Sequence, residues 1–284
     1  MKKSIAPLLM SLIICLTPQT CPAENVTYYI IAHQDDWQLF MTPRAYHDMI
    51  NQNTKVIFIY TTAGDAGKGT TWWQARRAGA LSSIQFAKRK RIEYVSPENI
   101  KINNHPIPRY KIENTRSYFI NIPDGRKKGN GFPSHHHQSL KKLKKGQITS
   151  VKALTAQSEY DTQYKNWADF INTLQAIIEK ESQPKMHLAR NRINFIDPKI
   201  AAHSDHKYTG YAVEEALKRS QYSYQPAKFE GYVMKQKRAN VNGTDLIWKI
   251  GIYFVYNQTA FEQGGYDHLK DHYFPWLFRQ YQTH

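Results

Sequence analysis

Two short stretches concentrate side chains that hold metal ions and move protons. In "YYIIAHQDDWQLF", residues 28–40, an apolar run ends and His33, Asp35 and Asp36 follow within four positions. In "HSDH", residues 203–206, His203, Asp205 and His206 follow a second apolar segment. Two imidazoles and one carboxylate around an ion, with one coordination position left open, form a known catalytic zinc arrangement. Such an ion activates water near neutral pH, and a further carboxylate can take the proton. Each stretch alone also has an ordinary reading. Ser204, Asp205 and the QDD run are helix-capping residue types. Their joint occurrence after two strand-like runs is what points to a metal site.

The elements that must position these residues are legible as periodicities. Residues 26–32 and 55–60 ("KVIFIY") are near-continuous apolar runs, the pattern of strands buried on both faces of a parallel sheet. Residues 43–50 and 73–88 read as helices. Residues 164–180 read as the clearest helix, with Trp167, Phe170, Ile171, Leu174, Ile177 and Ile178 on one face. "NRINFID", beyond Pro184, is a further strand candidate, and a helix is expected around 209–219. Strands alternating with helices predict an α/β fold: a doubly wound, mostly parallel, Rossmann-like sheet with helices on both faces. Ligands bind such sheets at the carboxyl ends of the strands, where both motifs fall. Residues 125–150 read as a basic surface loop containing His135, His136, His137 and "KKLKKG". The C-terminal third shows no clear period, and no internal repeat is evident.

The first 23 residues have the layout of a secretory signal peptide: Lys2 and Lys3, an apolar stretch over 5–16, then "TPQTCPA". Cleavage after Ala23 predicts a single domain over 24–284 and a secreted or periplasmic location. Both cysteines, Cys15 and Cys21, would leave with the segment, so no disulfide is expected. No other run is long and apolar enough to span a bilayer. The formal net charge of +16 favours polyanionic partners such as anionic glycans. "GDAGKGTT" lacks the spacing of a phosphate-binding loop, and no specific nucleic-acid motif is present.

The ordered motifs resemble the LmbE-like or PIG-L-like family of de-N-acetylases, in particular a secreted bacterial subgroup. The residues that carry the resemblance are "AHQDDWQLFM", "YTTAGDAG", "WWQARRAGA", "ENTRSYFINIPDG", the "GF" at Phe132, "HSDH", "GYV" and "NGTDLIWKIGIYFVY". They span roughly residues 26–260. The resemblance implies a zinc-dependent hydrolase that removes acetyl groups from N-acetylglucosamine-type sugars, with other divalent metals able to substitute. It implies His33, Asp36 and His206 as zinc ligands and Asp35 as general base. His203 would stabilise the oxyanion or protonate the leaving amine, and Asp205 would orient a histidine. Arg76 would lie near the sugar, and the turn around Asp65 would line the pocket.

Two positions depart from the family pattern. Trp37 replaces an acidic residue and offers a sugar-stacking face, while Arg77 replaces Glu. These departures and the net charge motivate a rival reading, a non-catalytic glycan- or polyanion-binding protein on a degenerate fold. The basic run at Lys141, Lys142, Lys144 and Lys145 is a candidate contact for anionic glycans.

Overall fold

The computed structural model describes residues 25–156, 161–182, 191–220, 222–265, 267, 269 and 273–283. The signal-peptide expectation, with both cysteines, lies outside the described residues, as does Pro184. Seven strands form one sheet: β1 (Asn25–Ile31), β2 (Thr54–Thr62), β3 (Glu98–Ile102), β4 (His105–Ile112), β5 (Thr115–Ile122), β8 (Arg192–Ile196) and β9 (Gln225–Phe229). A two-stranded ribbon, β6 (Val151–Lys152) and β7 (Gln163–Tyr164), stands apart. The helices are α1 (Arg44–Ile50), α2 (Thr70–Ala87), α3 (Leu140–Lys144), α4 (Trp167–Ser182), α5 (Ser204–Arg219), α6 (Gly243–Gly264) and α7 (Phe274–Leu277).

The strand order is β3-β4-β5-β2-β1-β8-β9. From β5 to β9 every pairing is parallel, and β3 and β4 add an antiparallel edge. The alternation of side chains along each strand explains the two hydrophobic layers. Tyr29 and Ile31 of β1, with Val56, Phe58 and Tyr60 of β2, join the layer packed by α1, α2 and α6. Val26, Tyr28, Ile30, Ile57 and Ile59 face the opposite layer, packed by α4 and α5. Burying each such side chain contributes ~1.5–3 kcal/mol, so a strand covered on both faces is near-continuously apolar, with the short polar side chain of Thr27 tolerated inside β1.

Three segments differ from expectation. Helix α5 begins at Ser204, five residues earlier than 209, because the His203 side chain caps it by accepting from the Asp205 N–H at 3.2 Å. The basic segment 125–150 is anchored rather than loose. Leu140 and Leu143 of α3 enter the core, Ser139 caps that helix, and Lys144 is paired with Glu215. The unreadable C-terminal third contains the longest helix, α6, which runs against α2. Its apolar residues surround much of its circumference, so no amphipathic stripe stood out. Gly79 makes the approach possible, since a Cβ there would lie 2.6 Å from the Tyr256 carbonyl oxygen.

Candidate active site

The carboxyl ends of the parallel strands converge on one cavity of about 750 Å³. The turn after β1 brings His33, Asp35 and Asp36. The segment after β5 brings Asp124, the one after β8 brings His203, Asp205 and His206, and the one after β9 brings Tyr232; His33, Asp35, Asp124, His203 and Tyr232 line the cavity, while Asp36, Asp205 and His206 are buried beside them.

Asp36 is completely buried, and its two oxygens have separate tasks. Oδ2 accepts from the backbone N–H groups of Ala32 at 3.0 Å and His33 at 2.8 Å, which closes the turn. Oδ1 lies 3.0 Å from His206 Nε2 and 3.7 Å from His33 Nδ1, and these two nitrogens are 3.3 Å apart. Ligand atoms about 2.0–2.2 Å from a tetrahedral zinc stand roughly 3.3–3.6 Å from one another, so the observed edges bracket that spacing. Asp36 Oδ1 has no hydrogen-bond donor among the described residues, which is costly for a buried carboxylate oxygen without a cation. The three residues therefore form a group able to hold a metal ion.

The surrounding residues orient this group. Asp205 Oδ2 lies 3.3 Å from His33 Nε2 and also accepts the Gly125 N–H at 2.9 Å. A proton on His33 Nε2 then leaves the Nδ1 lone pair facing Asp36 and His206, the usual way a carboxylate fixes a metal-binding histidine. Asp124 Oδ2 stands 3.9 Å from the same Nε2. A second grouping, His33, Asp124, His203 and Asp205, also has metal-ligand types within reach. It is the poorer fit. Asp205 Oδ2 already has a backbone donor, and burial first, with Asp124 nearby, pushes the Asp205 carboxyl up to about 6.

The charge balance favours a cation. Burial opposes ionisation of Asp36, yet His206 and His33 beside it hold its carboxyl well below the usual range. Burial likewise opposes charge on His33, but Asp36, Asp205 and Asp124 push it well above the ordinary histidine value. Asp124 is also held low, against burial, by His33 and His203. His203 moves the other way, to about 3, through burial and the neighbouring His33 and His206.

Asp35 and Arg76 border the cavity. Arg76 Nη2 donates to Asp35 Oδ1 at 2.6 Å, Nε donates to the Tyr256 hydroxyl at 2.8 Å, and Nη1 donates to the Gly64 carbonyl. Gly64 has φ +54°, and a Cβ there would lie 2.6 Å from Gln34 Oε1 and press on the Arg76 guanidinium.

Two expected substrate contacts are corrected. Trp37 is fully buried in a π-helical turn (Trp37–Met41), where its Nε1 donates to the Tyr60 hydroxyl at 3.0 Å and its ring packs on Phe58. It is a core residue and offers no face to a sugar. Asp65 is also fully buried. It accepts from the Gly67 N–H at 2.8 Å, the Asp124 N–H at 2.7 Å and lies 2.8 Å from His135 Nε2. It ties two loops together, and only its neighbour Ala66 reaches the cavity. Arg77, within α2, lies over the Trp73 and Phe119 rings, donates to the Tyr110 hydroxyl at 3.1 Å and does not line the cavity. The capping reading of "HSDH" is correct for His203 rather than for Ser204 or Asp205.

The sequence reading missed Asp124, Tyr232, Tyr273 and Trp276. Asp124 sits in the "PDG" turn, which was visible as a motif but carried no cue to its contact with His33. Tyr232 stacks on His206 with ring centres 5.2 Å apart and planes 12° apart. It and Trp276 come from the C-terminal region whose structure was not legible.

Fold and site together define an α/β protein with a buried two-histidine, one-carboxylate group at the switch point of a doubly wound sheet. Residues 28–217, well over half of the chain, match the model of the PIG-L family, described as GlcNAc-PI de-N-acetylase, and the chain belongs to that family. A solved structure similar to this chain is an N,N′-diacetylchitobiose deacetylase from Pyrococcus horikoshii complexed with an inhibitor. It is 17% identical with a TM-score of 0.46, and the match covers 90% of this chain and 76% of that one. A comparison with curated proteins finds no match.

Proposed function

We propose that the protein is a divalent-metal-dependent de-N-acetylase, with zinc the first candidate ion, that acts outside the cytoplasm on N-acetylglucosamine-type units of a glycan or glycoconjugate. The observation that carries this reading is the convergence of His33 Nδ1, Asp36 Oδ1 and His206 Nε2, in a chain of a family described by that activity. When bound, the ion supplies Lewis acidity that makes water nucleophilic near neutral pH.

The remaining steps belong to the chain. Asp35, aimed by Arg76, accepts the proton of the attacking water. Because His203 Nδ1 accepts the Asp205 N–H, its neutral ring carries the proton on Nε2. Its depressed pKa keeps that ring neutral at pH 7, which suits hydrogen-bond donation to the developing oxyanion better than proton transfer. Asp35 is then the group that returns its proton to the leaving amine. Acetate and a free amino sugar are the products. Against the rival reading, Trp37 is a core residue and Arg77 does not line the cavity, which leaves the net charge of +16 as its motive.

The test is to load the purified protein with Zn²⁺ and measure acetate and primary amine released from a panel of N-acetylated glycans. Release in equal amounts, abolished by chelation, is expected. Glycan binding with no release from any substrate would leave the binding-protein reading in its place.

A further inference from the structure

The mouth of the cavity holds features that amide hydrolysis does not require. Trp72, from the start of α2, and Trp276, in α7, both line it. Each indole carries a lysine: Lys68 Nζ is 4.7 Å from the Trp72 ring centre, and Lys235 Nζ is 5.7 Å from that of Trp276. Lys127 lines the same cavity. All three lysines are exposed, and among the described residues none is paired with an acid.

The acids that line the cavity are already engaged. Asp35 binds Arg76 at 2.6 Å, and Asp124 accepts the Arg126 N–H at 2.7 Å and faces His33. With Asp35 and Arg76 cancelling, Lys68, Lys127 and Lys235 outnumber Asp124, and the mouth carries an excess of positive charge beside the half-buried Trp72 and the buried Trp276. Lys127 and Lys235 line the cavity and Lys68 stands over its lining residue Trp72, whereas no lysine of the run over residues 141–145 lines it. Tyr232, Lys235, Tyr273 and Trp276 lie beyond residue 217, outside the segment that matches the family model.

We propose that the mouth is a subsite for an acidic glycan, in which a sugar bearing a carboxylate or phosphate neighbours the N-acetylated unit. A solvated lysine over an indole that is itself partly or largely buried, as Trp72 and Trp276 are, makes only a weak cation–π contact. An acidic sugar improves both halves of the pair at once. Its anionic group draws the lysine off the ring, and its apolar ring face can then cover what the half-buried Trp72 leaves open, while the buried Trp276 contributes mainly as the wall beneath Lys235. Lys127 adds a third charge from the segment after β5. This inference rests on the de-N-acetylase reading for the identity of the reacting unit, but the binding it predicts is measurable without turnover.

The experiment compares matched oligosaccharides of equal length: an uncharged N-acetylated chain, an alternating acetamido sugar–uronic acid chain, and a phosphate-bearing chain. Affinity is measured on the Asp35→Asn variant, and kcat/KM on the zinc-loaded protein. Three exposed charge pairs predict an acidic-over-neutral preference of about 3- to 100-fold, shrinking as ionic strength rises. In K68Q/K127Q/K235Q the acidic-to-neutral ratio should collapse towards one. A carboxylate-only or phosphate-only preference identifies the acidic group and supports the proposal. Equal affinity for charged and uncharged chains overturns it, as does a ratio unmoved by the triple substitution. Preferential binding of the acidic chain without any acetate release would support the subsite while removing the de-N-acetylase reading.

Discussion

Asp35 and Asp36 are neighbours in the chain with opposite assignments, so isosteric substitution of each should separate chemistry from metal binding. In Asp35→Asn, the amide oxygen still accepts from Arg76 Nη2, now 2.6 Å from Asp35 Oδ1, so the cavity keeps its shape. The base is gone. A positioned general base contributes ~10²–10⁴-fold, so kcat should fall by about that factor, equivalent to ~2.7–5.5 kcal/mol of barrier. KM should change little. Arg76 also loses its buried countercharge, and an uncompensated buried charge costs ~3–5 kcal/mol at most sites. Its bonds to Gly64 and Tyr256 soften that loss. Thermal unfolding must therefore be read beside kcat.

In Asp36→Asn, the amide oxygen can still accept the Ala32 and His33 N–H groups. The other position becomes an NH₂ that presents hydrogens to His33 Nδ1 and His206 Nε2, where an ion needs a lone pair. Metal content should drop, and activity with it. The assay is metal stoichiometry by elemental analysis, kcat by acetate release and Tm, all on both variants. Asp35→Asn that loses metal while Asp36→Asn retains it would reverse the two roles. Full kcat in a folded, metal-loaded Asp35→Asn would refute the base assignment outright.

Other perturbations probe the scaffold and the processing of the chain. Glu181, buried beside Lys55, Tyr118 and Arg109, has its carboxyl held below the usual value by Lys55 and Tyr118 against the opposing effect of burial. Glu181→Gln should cost ~1.5–3 kcal/mol at neutral pH, because Lys55 and Arg109 reach solvent and Arg109 keeps Glu98. Because the folded pKa is depressed, the wild-type advantage is present above the unfolded value near 4.5 and is lost as pH falls through the folded one. Chemical denaturation at pH 7 and pH 3.5 measures it, and a pH-independent difference would contradict the charge argument. Trp37→Ala should lower stability by ~3–5 kcal/mol through a core cavity. A change in KM at unchanged Tm would instead return Trp37 to a sugar-contacting role. Intact mass of protein recovered from a secreting host should place the mature N-terminus near Glu24, and a full-length cytoplasmic product would contradict export.

Local patterns in the sequence sufficed for the two central strands, for helix α4 and for the two motifs that supply the metal-ligand group. Val26, Tyr28 and Ile30 alternate with Tyr29 and Ile31, with Thr27 the single polar interruption, and only a strand covered on both faces tolerates so apolar a run. The helix over 167–182 declared itself because its apolar residues share one stripe. His33, Asp35, Asp36, His203, Asp205 and His206 were visible because two motifs each followed such a strand. What the chain order could not express is direction. Trp37 adjoins the metal-ligand group in sequence, but the π-helical turn swings it into the core against Phe58. Asp65 sits in a glycine-rich turn that looked like a pocket wall, yet its carboxylate is consumed by two backbone N–H groups and His135. Asp124 became a site residue only through the strand order, which sets β5 two places from β1. Pairing β1 with β8 brings His33 within 3.3 Å of His206 across 173 positions. A separation of that length carries no periodic signal, and its closure is decided by which strands pair and which side chains pack between them.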